Sequence, residues 1–549
     1  MKKNKMRRMV AECIAALVWT ALTMLTDRLI FRYDWRDGTV FAYKVLFFFL
    51  VFGLLHGAVT LAGKLRRRER FACRCVRWAL PYLAVNLLIL LLIWPGAWGN
   101  DDLYVLDMAR SLQLTPWYHY LSSVYQILVL MLLPFMSGTV VVQIFVISGM
   151  TGYLMALVQE TAEGYCAARG WDTKFARCTA ILYLPLVLPP VLLHNQEAFR
   201  PTWTSWTEIF LLAVVALWFS GHQPLSRGKW WTLICLGALT ATWRSECIYY
   251  VILVPVFLLL FARSKQLGLQ SALVGSVLVI VLTLVSNRYN NSLQGGSDWS
   301  YQSVAFSRQI VTVVQASDLE KDADLLEKID PVFSVQACKD YMGPVSGAYE
   351  QVVRDADTVT QEKWNECLKA SLLLAFRYPD AVFKERWELF INTVHYTIFS
   401  GQKSVFITSS ELYDRAPEEL RSIQKNFLEN MPPLAEPINQ ELRRQVMNVL
   451  MDWKVDSNRI VSLSWNMLPF FVVLFVMQIV LAIWRKWMLY WVNMAGVLHI
   501  AVVFVAAPTG YFMYYLAPYM QGAITATIVV LWMVLRALIN CGKSKVRGI

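Results

Sequence analysis

Eleven apolar runs divide this chain, at about residues 10–31, 40–62, 78–94, 119–158, 178–193, 205–220, 230–262, 271–286, 462–483, 488–507 and 511–537. Most approach the roughly 20 residues that a helix needs to cross a bilayer, and this repetition constrains the fold more than any other feature. The run 119–158 is too long for one span and breaks near Pro134 and Gly138. The run 230–262 is interrupted by Trp243-Arg244-Ser245-Glu246. The expected fold class is therefore all-α: a polytopic transmembrane helical bundle of 11–13 helices with a mostly helical extracytoplasmic insert. With 57% hydrophobic and only 16% charged residues, the 549-residue chain does not resemble a set of soluble domains.

The net charge of +12 does not point to nucleic acid, because the excess basic residues flank apolar runs. Lys2, Lys3, Lys5, Arg7 and Arg8 precede the first run, Lys64 to Arg77 follow the second, and Lys543, Lys545 and Arg547 close the chain. That is the positive-inside pattern, so both termini and the Lys64–Arg77 loop are expected in the cytoplasm of a multi-pass cell-membrane protein. A polybasic lipid-binding role for Lys64–Arg77 is the alternative, but topology alone accounts for it. No small-residue cleavage site precedes Asp27, so the first run is read as a retained helix.

Three regions are expected. Residues 1–286 form an N-terminal transmembrane module whose first outer loop spans 95–118. Residues 287–460, where apolar density falls and charges mix, form an extracytoplasmic insert, and 461–549 form a C-terminal transmembrane module. Two topologies fit the middle. In one, 119–158 makes two spans and the loop 194–204 is cytoplasmic. In the favoured one, 119–158 makes one span after an interfacial helix, 230–262 makes two, and that loop lies outside beside Asp101. Of the cysteines, Cys338 and Cys367 are the pair in the polar region, as a disulfide or as two free thiols.

The stretch from Trp94 to His119 joins two apolar runs and carries adjacent carboxylates, Asp101 and Asp102, at a membrane boundary, where loss of hydration has a cost. Adjacent helical residues point about 100° apart, so one acid can face a cavity as general base while the other caps the helix. Trp117 and His119 form an interfacial belt or a sugar- and phosphate-binding edge. Arg244 and Glu246 are a structural ion pair or a ligand site. The cluster His194-Asn195-Gln196-Glu197 with Arg200 is expected to be a solvated connecting loop. Tyr511 and Tyr515, between two late spans, stack on a sugar or anchor at the interface.

On these residues the chain resembles the GT-C class of polytopic membrane glycosyltransferases. Asp101-Asp102 resembles the acidic first-loop motif, Pro116-Trp117-Tyr118-His119 the segment that leads into the next span, and Arg244-Ser245-Glu246 an arginine-containing break. Weaker similarities lie at Ala348-Tyr349 through Ala356-Asp357-Thr358-Val359 and at Tyr378-Pro379-Asp380-Ala381. Where many relatives carry Arg-Tyr before a late proline, this chain has Met513-Tyr514-Tyr515 before Pro518.

The resemblance implies transfer of a sugar from a polyprenyl-phosphate-linked donor to a cell-envelope glycan or lipid acceptor. Asp101 or Asp102 would act as base, and Arg244, Glu246, His119, Trp117, Arg200, Tyr511 and Tyr515 as substrate contacts. Membrane lipids are expected partners and nucleic acid is not. Some relatives need a divalent metal, but two carboxylates are too few to argue for one. The competing readings are a polysaccharide polymerase or ligase, and a non-catalytic transporter of lipid-linked glycans.

Overall fold

The computed structural model describes residues 2–32, 38–294, 299–342, 349–355, 358–394, 431–432, 434–451 and 463–547. Among the described residues the chain is a helical bundle without named strands. Nine helices are long and apolar enough to cross a membrane, and three shorter apolar helices accompany them.

The first half comprises α1 (Lys2–Ile30), α2 (Gly38–Arg66), α3 (Arg70–Leu92), α4 (Asn100–Arg110), α5 (Tyr120–Leu132), α6 (Gly138–Ala168), α7 (Pro189–His194), α8 (Arg200–Ser220), α9 (Arg227–Trp243), α10 (Tyr250–Arg263) and α11 (Leu269–Leu293). Then follow α12 (Trp299–Ala316), α13 (Ala323–Ile329), α14 (Val335–Asp340), α15 (Tyr349–Val352), α16 (Gln361–Arg377), α17 (Pro379–Val394) and α18 (Gln440–Met451). The chain returns to apolar helices in α19 (Leu468–Ile483), α20 (Trp487–Ala506) and α21 (Leu516–Arg547).

Large apolar side chains point outward on the peripheral helices, as Leu25 on α1 (73% exposed) and Phe41 on α2 (75% exposed) do. In water such a surface would drive aggregation, whereas in lipid it is the required exterior. The polar groups of these helices turn inward instead. Asp27 of α1 is buried against Lys44 of α2, and Glu12 accepts from His56 at 2.8 Å.

The short α5 precedes a single long α6, and the run 230–262 is two helices, α9 and α10, broken at Arg244 and the turn Ser245–Cys247. The loop after α7 lies against the loop after α3: Ala97 N–H donates to the Gln196 carbonyl at 2.8 Å, and Ala97 bridges Glu197. Gly96 has a φ of +111°, and a Cβ there would sit 2.9 Å from the Gln196 carbonyl oxygen, so only glycine allows this approach.

The polar region builds its own core around Phe333, Trp364 and Cys367. Cys338 and Cys367 are both buried free thiols. Helix α17 ties this region to the bundle. Phe390 packs on Phe471 and Tyr515, and Arg386 donates to the Ala507 carbonyl at 2.8 Å. Ala348, Ala356 and Asp357 lie outside the described residues, as does the segment 395–430.

Candidate functional site

The two neighbouring aspartates do different work. Helix α4 starts after Gly99, and Asp102, at its third position, reaches back so that Gly99 N–H donates to Oδ2 at 3.0 Å. This satisfies a helix-start donor and leaves Asp102 only 1% exposed, with Oδ1 lacking a partner among the described residues. Burial, reinforced by Asp101, raises its carboxyl well above the ordinary aspartate range despite the Gly99 bond. Asp101 is left half-buried.

Three residues meet Asp101. The Tyr118 hydroxyl donates to it, and burial together with this contact pushes the phenol up. Glu197 and Tyr511 lie within its electrostatic reach. Glu197 is 3% exposed, its Oε2 has no partner among the described residues, and burial beside Asp102 and Asp101 holds its carboxyl well above the usual range. The neighbourhood thus contains two buried carboxyls driven toward the neutral form beside the half-buried Asp101.

The segment around Glu197 is not the solvated loop expected from its polarity. His194, Asn195 and Gln196 are fully buried. Asn195 donates to the Tyr82 hydroxyl at 2.8 Å and to Asn86 Oδ1 at 2.9 Å, and accepts from Trp206 Nε1 at 2.8 Å. Gln143 Nε2 donates to the Glu197 carbonyl at 2.7 Å. Polarity marked this stretch as a loop, but Asn195 and the Glu197 carbonyl find partners inside the bundle, which offsets part of the cost of burying it.

The other predicted residues separate into two groups. Arg200, at the start of α8, places its guanidinium 5.3 Å from the Tyr118 ring and has no ion pair among the described residues. Arg244 instead forms a two-point pair with Glu246, with Nε 3.2 Å from Oε2, and sits 5.1 Å from the Tyr514 ring. Its charge is matched within the chain. Tyr511 stacks on Tyr514, with centroids 6.3 Å apart and planes 4° off parallel. Tyr515 is not at the site. It packs among Phe390 and Phe471 in the core, because successive residues of the turn Phe512–Tyr515 point different ways.

Trp117 lies edge-on to Tyr301, 5.1 Å away, between the first loop and the polar region. His119 has φ +65° and ψ 131°, a sparsely populated conformation that the surroundings must hold. They do so through Asn290 of α11, which accepts from Tyr120 N–H at 2.9 Å and donates to the Pro116 carbonyl at 3.0 Å. Burial beside Arg200 pushes the His119 imidazole down to about 3, so it is neutral at the site.

Several residues that position the site were not singled out from the sequence. Arg443 of α18, 1% exposed, donates to the carbonyls of Ile93, Trp94 and Gly96 and clamps the end of α3. Nothing in its amphipathic helix signals that role. Glu208 and His499 carried a signal, as ionisable residues inside apolar runs. His499 Nδ1 lies 3.1 Å from Glu208 Oε2, its Nε2 lies 2.9 Å from the Tyr514 carbonyl, and Tyr249 donates to Glu208 at 3.0 Å. This network fixes the turn that carries Tyr511 and Tyr514.

With Cys247, Glu208 and His499 form the one group of three mixed ligand residues within mutual reach among the described residues. Asp101, Asp102 and Glu197 do not bring carboxylate oxygens within 4.8 Å of one another as a group of three. No family model matches this chain, and no curated protein or solved structure is detectably similar to it, so the site rests on its own geometry.

Proposed function

We propose that this chain is a membrane glycosyltransferase that moves a sugar from a polyprenyl-phosphate carrier to a hydroxyl acceptor, with Asp101 as general base. The observation that carries this reading is the division of labour between neighbours: Asp102 is consumed by the helix cap, while Asp101 is half-buried with a hydroxyl donor, Tyr118, already against it. A carboxylate placed to accept from a hydroxyl is what deprotonation of an acceptor alcohol needs.

The reaction is a displacement at the anomeric carbon. The acceptor oxygen bonds to that carbon, its proton passes to Asp101, and the carbon–oxygen bond to the carrier phosphate breaks. The departing phosphate takes the electron pair and needs positive charge. Arg200 suits that task better than Arg244, because Arg244 is held in a two-point pair with Glu246 whereas Arg200 forms no ion pair among the described residues and feels Glu246 only at longer range. Keeping Glu197 and Asp102 protonated removes two negative charges that would repel the phosphate. Neutral His119 and the Tyr511–Tyr514 stack offer donors and a flat face to the sugar.

A lipid chain would find room in an apolar cavity of about 300 Å³ inside the bundle, lined by Met155, Trp206, Ile209 and Ile524, none of them a residue of the site. On this reading the site opens on the extracytoplasmic side of the cell membrane, with both termini and the Lys64–Arg77 loop cytoplasmic.

The test is a transfer assay with purified protein and a polyprenyl-phosphate sugar, comparing wild type with Asp101→Asn. Release of free polyprenyl phosphate by the wild type and its loss in the variant are expected. Movement of intact donor across a vesicle without breakdown would replace transfer with transport.

A further inference from the structure

At its other end, α3 begins at Arg70, about 33 Å along the helix from Leu92 at a rise of 1.5 Å per residue. There α3, the end of α6 and the segment Thr173–Val187 surround a cavity of about 600 Å³. Its walls carry Arg70, Arg74, Arg77, Lys174 and Arg177 against one carboxylate, Glu163. Glu163 is already engaged, 2.9 Å from Arg70 and 2.6 Å from Arg74. Arg77, Lys174 and Arg177 have no ion pair among the described residues. Glu160 lines only a smaller adjoining cavity.

Topology requires basic residues near span ends, but it does not require them to converge. Here cations from two segments about a hundred residues apart in sequence close on one hollow. Helix α3 adds the positive end of its dipole, and the acid at its N-cap, Glu69, is taken up by Arg67 at 3.0 Å. Such a field attracts an anion. The surroundings give the depth at which it sits. Trp78, on the cavity wall, donates to Gln159 at 2.9 Å, as aromatic residues do at headgroup level. Leu80 and Leu184 then present exposed apolar surface on the membrane side.

We propose that this hollow binds the phosphate headgroup of an anionic membrane phospholipid, with the acyl chains running along α3 past Leu80. The shared chemistry is a phosphate anion, and the exposed apolar surface beside the cavity selects a lipid over free phosphate. The site is independent of the transferase reading and lies at the opposite membrane boundary.

The experiment uses the full-length protein extracted from vesicles containing equal parts phosphatidylcholine and phosphatidylglycerol, with retained lipid counted by native mass spectrometry. Wild type is expected to retain phosphatidylglycerol over phosphatidylcholine by about tenfold or more, as a cluster of several basic residues implies. The triple variant Arg77→Gln, Lys174→Gln, Arg177→Gln is expected to bring that preference below about twofold, since the lost attraction scales with the cations removed. Added inorganic phosphate should leave the bound lipid in place. Should the triple variant fold poorly, the single charge reversal Arg177→Glu is expected to show the same direction. Undiminished preference in a folded variant overturns the proposal, and so does displacement of the lipid by inorganic phosphate alone.

Discussion

Helix α3 joins two clusters of charge that could hardly be treated more differently. At its Leu92 end, Asp102, Glu197 and Arg443 are almost wholly buried and tied to backbone groups or to one another's fields. At its Arg70 end, the guanidinium groups line an open cavity and several have no counter-charge among the described residues. Charge in a solvated cavity costs little, and topology alone can maintain it. Burying charge beside a bilayer costs several kcal/mol per group unless it is paired or neutralised, so a buried cluster persists where something else requires it. The sequence explains the basic residues at the Arg70 end by topology alone, and the unusual chemistry sits at the other end, with the first-loop acids.

The contrast is broken most directly at Asp101. Asp101→Asn keeps shape and removes the base, and transfer is expected to fall about 10²- to 10⁴-fold with the unfolding temperature unchanged. Asp102→Asn can still accept from Gly99 N–H through its amide oxygen and is expected to retain most activity. Equal losses in both variants would show that the neighbours do not divide their roles. Next comes Arg200→Gln, expected to slow turnover about 10²- to 10³-fold by removing positive charge from the leaving phosphate. Unaltered turnover would return that role to Arg244.

Stability offers the third contrast. Arg443→Met leaves the carbonyls of Ile93, Trp94 and Gly96 without their donor inside the fold. A loss of about 3 kcal/mol or more is expected, since each bond to a charged group contributes roughly 1.5–3 kcal/mol. Arg77→Gln at the far end should stay within about 0.5 kcal/mol. Thermal unfolding in detergent reads both, and similar shifts would mean the two ends of α3 are not energetically distinct.

The bundle was legible because span length and basic flanks are properties of short windows, and the break at Arg244-Ser245-Glu246 interrupts its run visibly. The pair Asp101-Asp102 was legible as a capping and catalytic alternative, though which acid takes which role depends on the turn at Gly99. Glu197 was misjudged because polarity says nothing about partners: its segment is buried by amides from Gln143 and Asn86, which lie far away in the chain. Arg443 was invisible for a related reason, being bonded to carbonyls some 350 positions earlier. Tyr515, expected as a stacking residue, packs in the core while its neighbour Tyr514 meets Arg244, because composition cannot tell adjacent residues of a tight turn apart.

The smallest expected effect is also the one that sees both kinds of buried group at once. Asp102 folds with its carboxyl raised well above the reference 3.8, so the folded state holds a proton that the unfolded state releases. The stability tied to that proton is therefore full below 3.8 and is lost as pH rises through the folded value. His119 has the opposite sign. Its folded imidazole titrates near 3 against 6.5 when unfolded, so its contribution is full above 6.5 and is lost as pH falls toward 3. Wild type should thus lose stability on both sides of a maximum, with Glu197 adding to the alkaline limb and His194, pushed down to about 4 by burial, to the acid limb. Asp102→Asn should flatten the alkaline limb and leave the acid one, while His119→Asn should do the reverse. Parallel pH profiles for wild type and Asp102→Asn would mean that the Asp102 carboxylate is solvated, and the contrast between the two ends of α3 would then disappear.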